Sequence, residues 1–324
     1  MRFDLPPVLP AGNTIPNRQV ICQTLLQAAE TDRDIVVLCS DSRGSTSMTP
    51  FAERYPERFV ETGIAEQNLT GIAAGLAHSG KKPYVASPAS FLSTRSYEQA
   101  KIECAYSGTN VKLIGVSGGV SYGALGMSHH SLQDIAAMSA IPGMRVYFPS
   151  DRRQTRFLIQ SLLCDAQPAY VRVSRLPSQD LYPEDFPFEM DCAVWLADKE
   201  EADVLIAACG ETVAPALEAA RLLQKQCVTA AVLDCWCLKP FDCESLLQAA
   251  ARCRAVVTVE EHVSSGGLGS LVCQCLAQEL PRRCACMSLP DAPVITGSAQ
   301  EVFRYYGLTG EGIASRSLAL LKTL

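Results

Sequence analysis

The sequence predicts an α/β fold of two consecutive three-layer domains with mostly parallel sheets. Three observations carry that prediction. Short β-branched runs alternate with helix-period segments along the chain. The 324 residues suit two domains at about 150 residues each. A proline- and acid-rich stretch without periodicity, LPSQDLYPEDFPFEMD, then divides the chain near its middle. In the first half, apolar runs place strands near 35–39, 83–86, 111–116, 145–148 and 169–173. Helical spacing places helices near 19–30, 66–78, 96–107, 132–139 and 152–163. Ser131 reads as the N-cap of the fourth helix and Asp151, after Pro149 and Ser150, as the start of the fifth. In the second half, strands are expected near 203–208, 229–233, 255–259 and 285–289, and helices near 213–224, 243–251, 268–278 and 313–321. The domains are accordingly expected at 1–180 and 192–324, with 181–191 as linker.

Composition excludes several function classes. Hydrophobic residues make up 48% and charged residues 19%, enough to build cores and unlike a disordered chain. The net charge of −6, with no basic run, disfavours nucleic acid. No apolar run approaches the ~20 residues needed to cross a bilayer, so no membrane contact is expected. The N-terminal MRFDLPPVLPAGNTIPNRQ has four prolines and lacks the apolar centre of a signal peptide, which points to a cytoplasmic protein.

Fifteen cysteines could suggest a disulfide framework, but the number is odd and the chain long. Several (Cys22, Cys39, Cys104, Cys209) sit in apolar runs, like small core residues, so all read as reduced thiols. Three pairs two residues apart, Cys235/Cys237, Cys273/Cys275 and Cys284/Cys286, raise the question of metal, because such a pair shares one face on a strand. The helical setting of Cys273 and Cys275 puts them on opposite sides, and no metal site is expected.

The common catalytic signatures are missing: no phosphate-binding G-x-x-x-x-G-K-[ST], no G-x-S-x-G, no H-E-x-x-H. The informative stretch is GIAEQNLTGIAAGLAHSG, residues 63–80, where Glu66 opens a helix built from small residues. Small side chains admit a close neighbour, inside the domain or across a subunit interface. By spacing alone, Glu66 reads as a first-turn acid favoured by the helix dipole, worth about 0.3–1 kcal/mol.

Taken together, ETGIAEQNLTGIAAGLAHSG, SFLSTRSYEQ, SHHSLQDIA and PGMRVYFPSD, in that order, resemble the pyrimidine-binding domain of transketolases. LKPFD and VTVEEHVSSGGLGSLV resemble the C-terminal domain of the same enzymes, and the resemblance runs from about Thr14 onward. It implies thiamine diphosphate as cofactor. It also implies that Glu66 hydrogen-bonds the 1′ nitrogen of its aminopyrimidine, promoting loss of the thiazolium proton. Phe91 and Tyr97 match aromatic residues around that ring, with Thr94 where some relatives have a third. Asp41 matches an acid that orients the cofactor. His129 matches a histidine on the substrate hydroxyls and reacting oxygen, while Arg18, Ser45 and Arg175 match a sugar-phosphate grip.

Two departures bear on the substrate. Ser117 and Leu125 stand where many transketolases have a histidine and an aspartate that read sugar hydroxyls, and His130 is a candidate substitute. The G-D-G…N motif that binds Mg²⁺ and the cofactor diphosphate is nowhere in the chain. The resemblance therefore implies the C-terminal subunit of a split transketolase, transferring a two-carbon ketol unit between sugar phosphates. A separate N-terminal subunit would carry that motif and the Mg²⁺, in an α2β2 heterotetramer that includes self-association of this chain. Two enzymatic alternatives share the layout: the β subunit of a 2-oxo acid dehydrogenase and a deoxyxylulose phosphate synthase-like enzyme. A third alternative is a non-catalytic regulatory paralogue.

Overall fold

The structure is a computed structural model that describes residues 15–197 and 201–324. The first sheet contains β1 (Ile35–Cys39), β2 (Phe59–Glu61), β3 (Lys82–Pro88), β4 (Lys112–Val116), β5 (Arg145–Tyr147) and β6 (Ala169–Val173). The second contains β7 (Val194–Ala197), β8 (Ala202–Ala208), β9 (Ala230–Asp234), β11 (Cys253–Val263) and β12 (Arg283–Leu289), while β10 (Cys237–Lys239) returns to the first. Strand order is β10-β5-β6-β4-β3-β1-β2 in one sheet and β12-β11-β8-β9-β7 in the other. Pairing is parallel except at the two edges where β10 meets β5 and β7 meets β9.

Central strands such as β1, β4 and β6 are buried at every position, so they read in the sequence as largely apolar runs rather than alternating ones, broken by buried Lys112 in β4 and Arg172 in β6. Alternate residues nevertheless serve opposite faces. Ile35, Val37 and Cys39 pack with α1 (Asn17–Ala29), α2 (Thr49–Arg54) and α7 (Arg152–Leu163). Val36 and Leu38 pack on the other face with α3 (Glu66–His78), α4 (Ala89–Arg95) and α6 (Asp134–Ser139). In the second domain, Val204, Ile206 and Ala208 face α8 (Val213–Gln224) and α12 (Gly310–Leu321). Leu205 and Ala207 face α9 (Cys243–Ala251) and α10 (Leu268–Glu279). Each face forms one apolar cluster that continues across the domain boundary.

Several expectations need correction. The helix expected over 96–107 is a short turn, α5 (Tyr97–Gln99), followed by a π-helical run over Ala100–Tyr106. Ser131 is not an N-cap: α6 begins at Asp134, and the backbone of Ser131 pairs with Gly119 in an isolated bridge. Asp151 does cap α7, accepting from the backbone N–H of Arg153 and Gln154 at 2.9 and 2.8 Å. The sequence reading missed β2, β7, β10, α2, α4 and α11 (Ala299–Tyr306), all short. It also ended β11 at Val259, where the structure carries the strand on through buried Glu260, Glu261 and His262.

The proline-rich connection is irregular but docked. Leu181 and Tyr182 are buried, and Tyr182, Phe186 and Phe188 pack their rings within 4.9 Å of one another. Arg152 grips Asp180 through two bonds of 2.8 and 2.9 Å.

Candidate active site

The parallel strands of the first sheet point one way, so the segments after their C-terminal ends gather along one edge, where ligands bind in open α/β sheets. Asp41 and Ser45 follow β1, Glu66 follows β2, Phe91 and Tyr97 follow β3, His129 follows β4 and Arg175 follows β6. Arg18 joins them from the first turn of α1.

Glu66 is the first residue of α3 and only 3% exposed, although the helix N-cap, Ala65, offers no side-chain cap. Its carboxylate oxygens accept from Arg95 Nη1 at 3.2 and 3.1 Å. The guanidinium lies 4.0 Å from the centre of the Phe91 ring, because residues four apart on α4 share a face. Arg95 is 46% exposed, so one semi-mobile cation is the partner of a buried carboxylate that has lone pairs to spare. An open depression of about 730 Å³, lined by Ile64, Ala65, Glu66, Gln67, Asn68 and Arg95, leads to it.

From Phe91 a line of contacts runs to the phosphate-grip candidates. The Phe91 and His129 rings meet edge-on at 5.2 Å, and His129 meets Tyr122 at 5.4 Å. The Arg175 guanidinium lies 5.1 Å from the Tyr122 ring. Arg18 Nε donates to the Arg175 carbonyl at 3.0 Å and Arg18 Nη1 to the Ser45 carbonyl at 2.6 Å. Residues 157 apart in sequence thus become neighbours. Among the described residues no carboxylate pairs with Arg18 or Arg175. Burial, then the neighbouring Arg175, pushes the Arg18 pKa down. The pair is a cationic spot that an anion would relieve.

His129 is half-buried, its Nδ1 sharing a hydrogen bond with Ser128 Oγ at 3.0 Å. That leaves Nε2 without a partner among the described residues. His130 is buried and turned the other way, with Nε2 3.1 Å from the Gly123 carbonyl, and burial holds its pKa below the usual value. It therefore braces the loop. Ser117 is buried with φ +61° and an unpartnered Oγ, and Leu125 is 53% exposed. Tyr97 is half-buried against the core beside α3, and Thr94 is exposed. Asp41 is exposed with φ +54°, its N–H donating to Glu61 at 2.5 Å.

The sequence reading missed Arg95, Tyr122 and a buried charge cluster under the His129 loop. Arg172, fully buried, reaches Asp134 Oδ1 at 3.4 Å, the Glu261 carbonyl at 2.8 Å and Glu261 Oε2 at 3.0 Å. Glu261 Oε1 in turn accepts from the Val120 N–H at 2.9 Å. A side chain at Gly119 would put its Cβ 2.0 Å from the Glu261 carboxylate, and φ there is +63°, so the position requires glycine. Burial pushes Glu261 up to about 8 against the pull of Arg172. The Glu-Glu-His that breaks the apolar run after Val259 was the available signal.

Comparison with known proteins agrees with this arrangement. Residues 13–179 match the family described as transketolase, pyrimidine binding domain, and residues 193–313 match transketolase, C-terminal domain. An apulose-4-phosphate transketolase subunit of Phocaeicola vulgatus is 45% identical over 313 residues, covering 96% of this chain and 99% of that one. A 6-deoxy-6-sulfo-D-fructose transketolase subunit of a Clostridium species is 36% identical over 296 residues, 91% of each chain. A solved structure described as a split gene transketolase, inactive beta4 tetramer, superimposes with a TM-score of 0.85 at 35% identity, covering 96% of this chain and 99% of that one. The chain belongs to the transketolase family, as a C-terminal subunit of the split kind, a transferase component that acts with a partner subunit.

Proposed function

We propose that this subunit serves transfer of a two-carbon ketol unit from a ketose phosphate to an aldose phosphate, at a site shared with an N-terminal subunit. The partner carries the G-D-G…N motif and holds Mg²⁺ and the diphosphate of thiamine diphosphate. The observation that carries this reading is the unbroken line of contacts from Glu66 through Arg95, Phe91, His129, Tyr122 and Arg175 to Arg18. It sets a buried carboxylate and an aromatic face at one end and an unpaired cationic spot at the other.

The residues fit one end of the cofactor. A buried carboxylate with spare lone pairs suits a ring nitrogen, and the Phe91 face suits a flat heterocycle. Among the described residues no aspartates, glutamates and histidines gather into a three-ligand group, so the hard ligands for Mg²⁺ come from the partner. When bound, thiamine diphosphate supplies a nucleophilic carbon and an electron sink for the transferred fragment. Glu66 exchanges a proton at its carboxylate with the ring nitrogen, after Arg95 swings toward solvent. Phe91 and Tyr97 bound the ring, and Asp41 orients the cofactor. His129 Nε2 hydrogen-bonds the substrate oxygen, while Arg18, Ser45 and Arg175 hold its phosphate.

The names of the two relatives, one for a phosphorylated sugar and one for a sulfo sugar, share an anionic end that the arginine pair would accept. Leu125 cannot accept a hydrogen bond from a sugar hydroxyl, which points to a donor or acceptor lacking the hydroxyl usually read there. Outside α3's own nearby backbone, none of the described residues approaches within 4 Å of a Cβ at Gly71 or Gly75, and Ile64 beside Glu66 is 72% exposed. These features leave room for neighbouring subunits in an α2β2 heterotetramer. No disulfide joins any of the fifteen cysteines, which supports a cytoplasmic setting.

Mixing supplies the test. The chain alone is expected to be inactive and to bind thiamine diphosphate weakly, and addition of the G-D-G…N subunit should start ketol transfer between sugar phosphates. In that pair, Glu66→Gln should lower kcat by about 10²-fold or more. Full turnover of the pair with Glu66→Ala, without added acid or base, or decarboxylation of a 2-oxo acid instead of ketol transfer, would overturn the reading.

A further inference from the structure

The second domain holds a group of side chains that ketol transfer does not use. Edge strand β12 carries Cys284 and Cys286, whose two-residue spacing turns both thiols to one side. Cys273 comes from α10, which packs against that strand. The three sulfurs lie within 4.8 Å of one another, and Cys273 Sγ is 3.6 Å from Cys286 Sγ. Gly269, in the first turn of α10, permits the approach: a Cβ there would stand only 3.0 Å from Cys286 Sγ.

A thiolate–zinc bond of about 2.3 Å separates two sulfurs on a tetrahedral ion by about 3.8 Å; Cys273 and Cys286 already stand near that spacing, and Cys284 lies within 4.8 Å of both. Their chemistry is selective. Three sulfurs with no carboxylate or imidazole among them suit a soft d¹⁰ cation and are poor ligands for Mg²⁺ or Ca²⁺. Access is open, since Cys286 is exposed and Cys273 and Cys284 are half-buried.

We propose that Cys273, Cys284 and Cys286 form a trithiolate site for a single thiophilic cation, Zn²⁺ or Cu⁺, separate from the thiamine diphosphate site. Three S–H bonds are lost and three sulfur–metal bonds form, and three protons pass to solvent, so binding strengthens as pH rises. A water completes the shell of Zn²⁺, whereas Cu⁺ takes the three sulfurs alone.

The test uses the full chain, reduced and freed of metal. Co²⁺, standing in for Zn²⁺, and separately Cu⁺ under anaerobic conditions, are titrated while the thiolate-to-metal charge-transfer absorption is followed. Saturation at one equivalent by Co²⁺, reversed by Zn²⁺, assigns the site to zinc, and saturation by Cu⁺ alone assigns it to copper. In either case Cys273, Cys284 and Cys286 should resist iodoacetamide in the loaded chain, as mapped by mass spectrometry, while exposed Cys164 and Cys227 are alkylated. Cys286→Ser should abolish the absorption and Cys164→Ser should leave it intact. The labelling map of the unaltered chain decides the matter even if a variant folds poorly. No saturation by either ion, protection of other cysteines, or an absorption that survives Cys286→Ser would overturn the proposal.

Discussion

Two guanidinium groups held together without a carboxylate are costly unless a negative ligand enters, and among the described residues Arg18 and Arg175 are held so by backbone carbonyls and the Tyr122 ring. Hydrogen bonds to a charged group are worth about 1.5–3 kcal/mol, which converts to roughly ten- to hundredfold in affinity. In the reconstituted enzyme, Arg18→Met is expected to raise KM for a phosphorylated aldose by that factor and to spare an unphosphorylated one. Equal losses on both substrates would remove Arg18 from phosphate binding. None of these residues stood out alone in the sequence, where a single arginine near a helix start looks like any surface cation. The order of several motifs made them candidates. Arg95 escaped even so, because the helix expected there began at 96, and nothing marked an arginine just before it as the partner of a buried glutamate.

At the level of elements, buried parallel strands were legible as apolar runs, and α7 was legible from its Asp151 cap. Short edge pieces such as β7 and β10 were not, since three or four residues carry no readable period. The end of β9, between β8 and β7, carries a contact of another kind. The Asp234 carboxyl there is fully buried and accepts from Ser150 at 2.7 Å, Gln154 at 3.2 Å and Tyr182, tying the second domain to α7 and the docked connection. Burial, opposed by those hydrogen bonds, pushes it up to about 7. A folded pKa above the unfolded value of about 3.9 means the folded chain binds this proton more tightly. The associated stability is present at low pH and lost as pH rises through about 7. Asp234→Asn has no proton to lose. Between pH 4 and 8, urea unfolding should show the wild type losing up to about 4 kcal/mol relative to the variant, and parallel curves would refute the assignment.

Across the whole molecule, the two domains are joined through charge as well as apolar packing. Arg172 in the first domain hydrogen-bonds the carboxyl and carbonyl of Glu261 in the second, directly beneath the loop that carries His129. Removing one partner of such a cluster strands the other in the interior. Arg172→Met is expected to cost about 3–5 kcal/mol in urea unfolding, with Arg172→Met/Glu261→Gln recovering part of it. A loss below about 1 kcal/mol in the single variant would mean that water already reaches Glu261. The strand β10 binds the halves in another way. It belongs by sequence to the second domain yet closes the edge of the first sheet, pairing Cys237 with Tyr147 and Lys239 with Val146. A fragment that stops before Cys237 would leave the N–H and C=O groups of β5 bare along an apolar border, a template on which another fragment could add its own strand. The two domains are therefore one unit of expression, and a truncation made in the connecting segment yields an adhesive edge instead of a free-standing half.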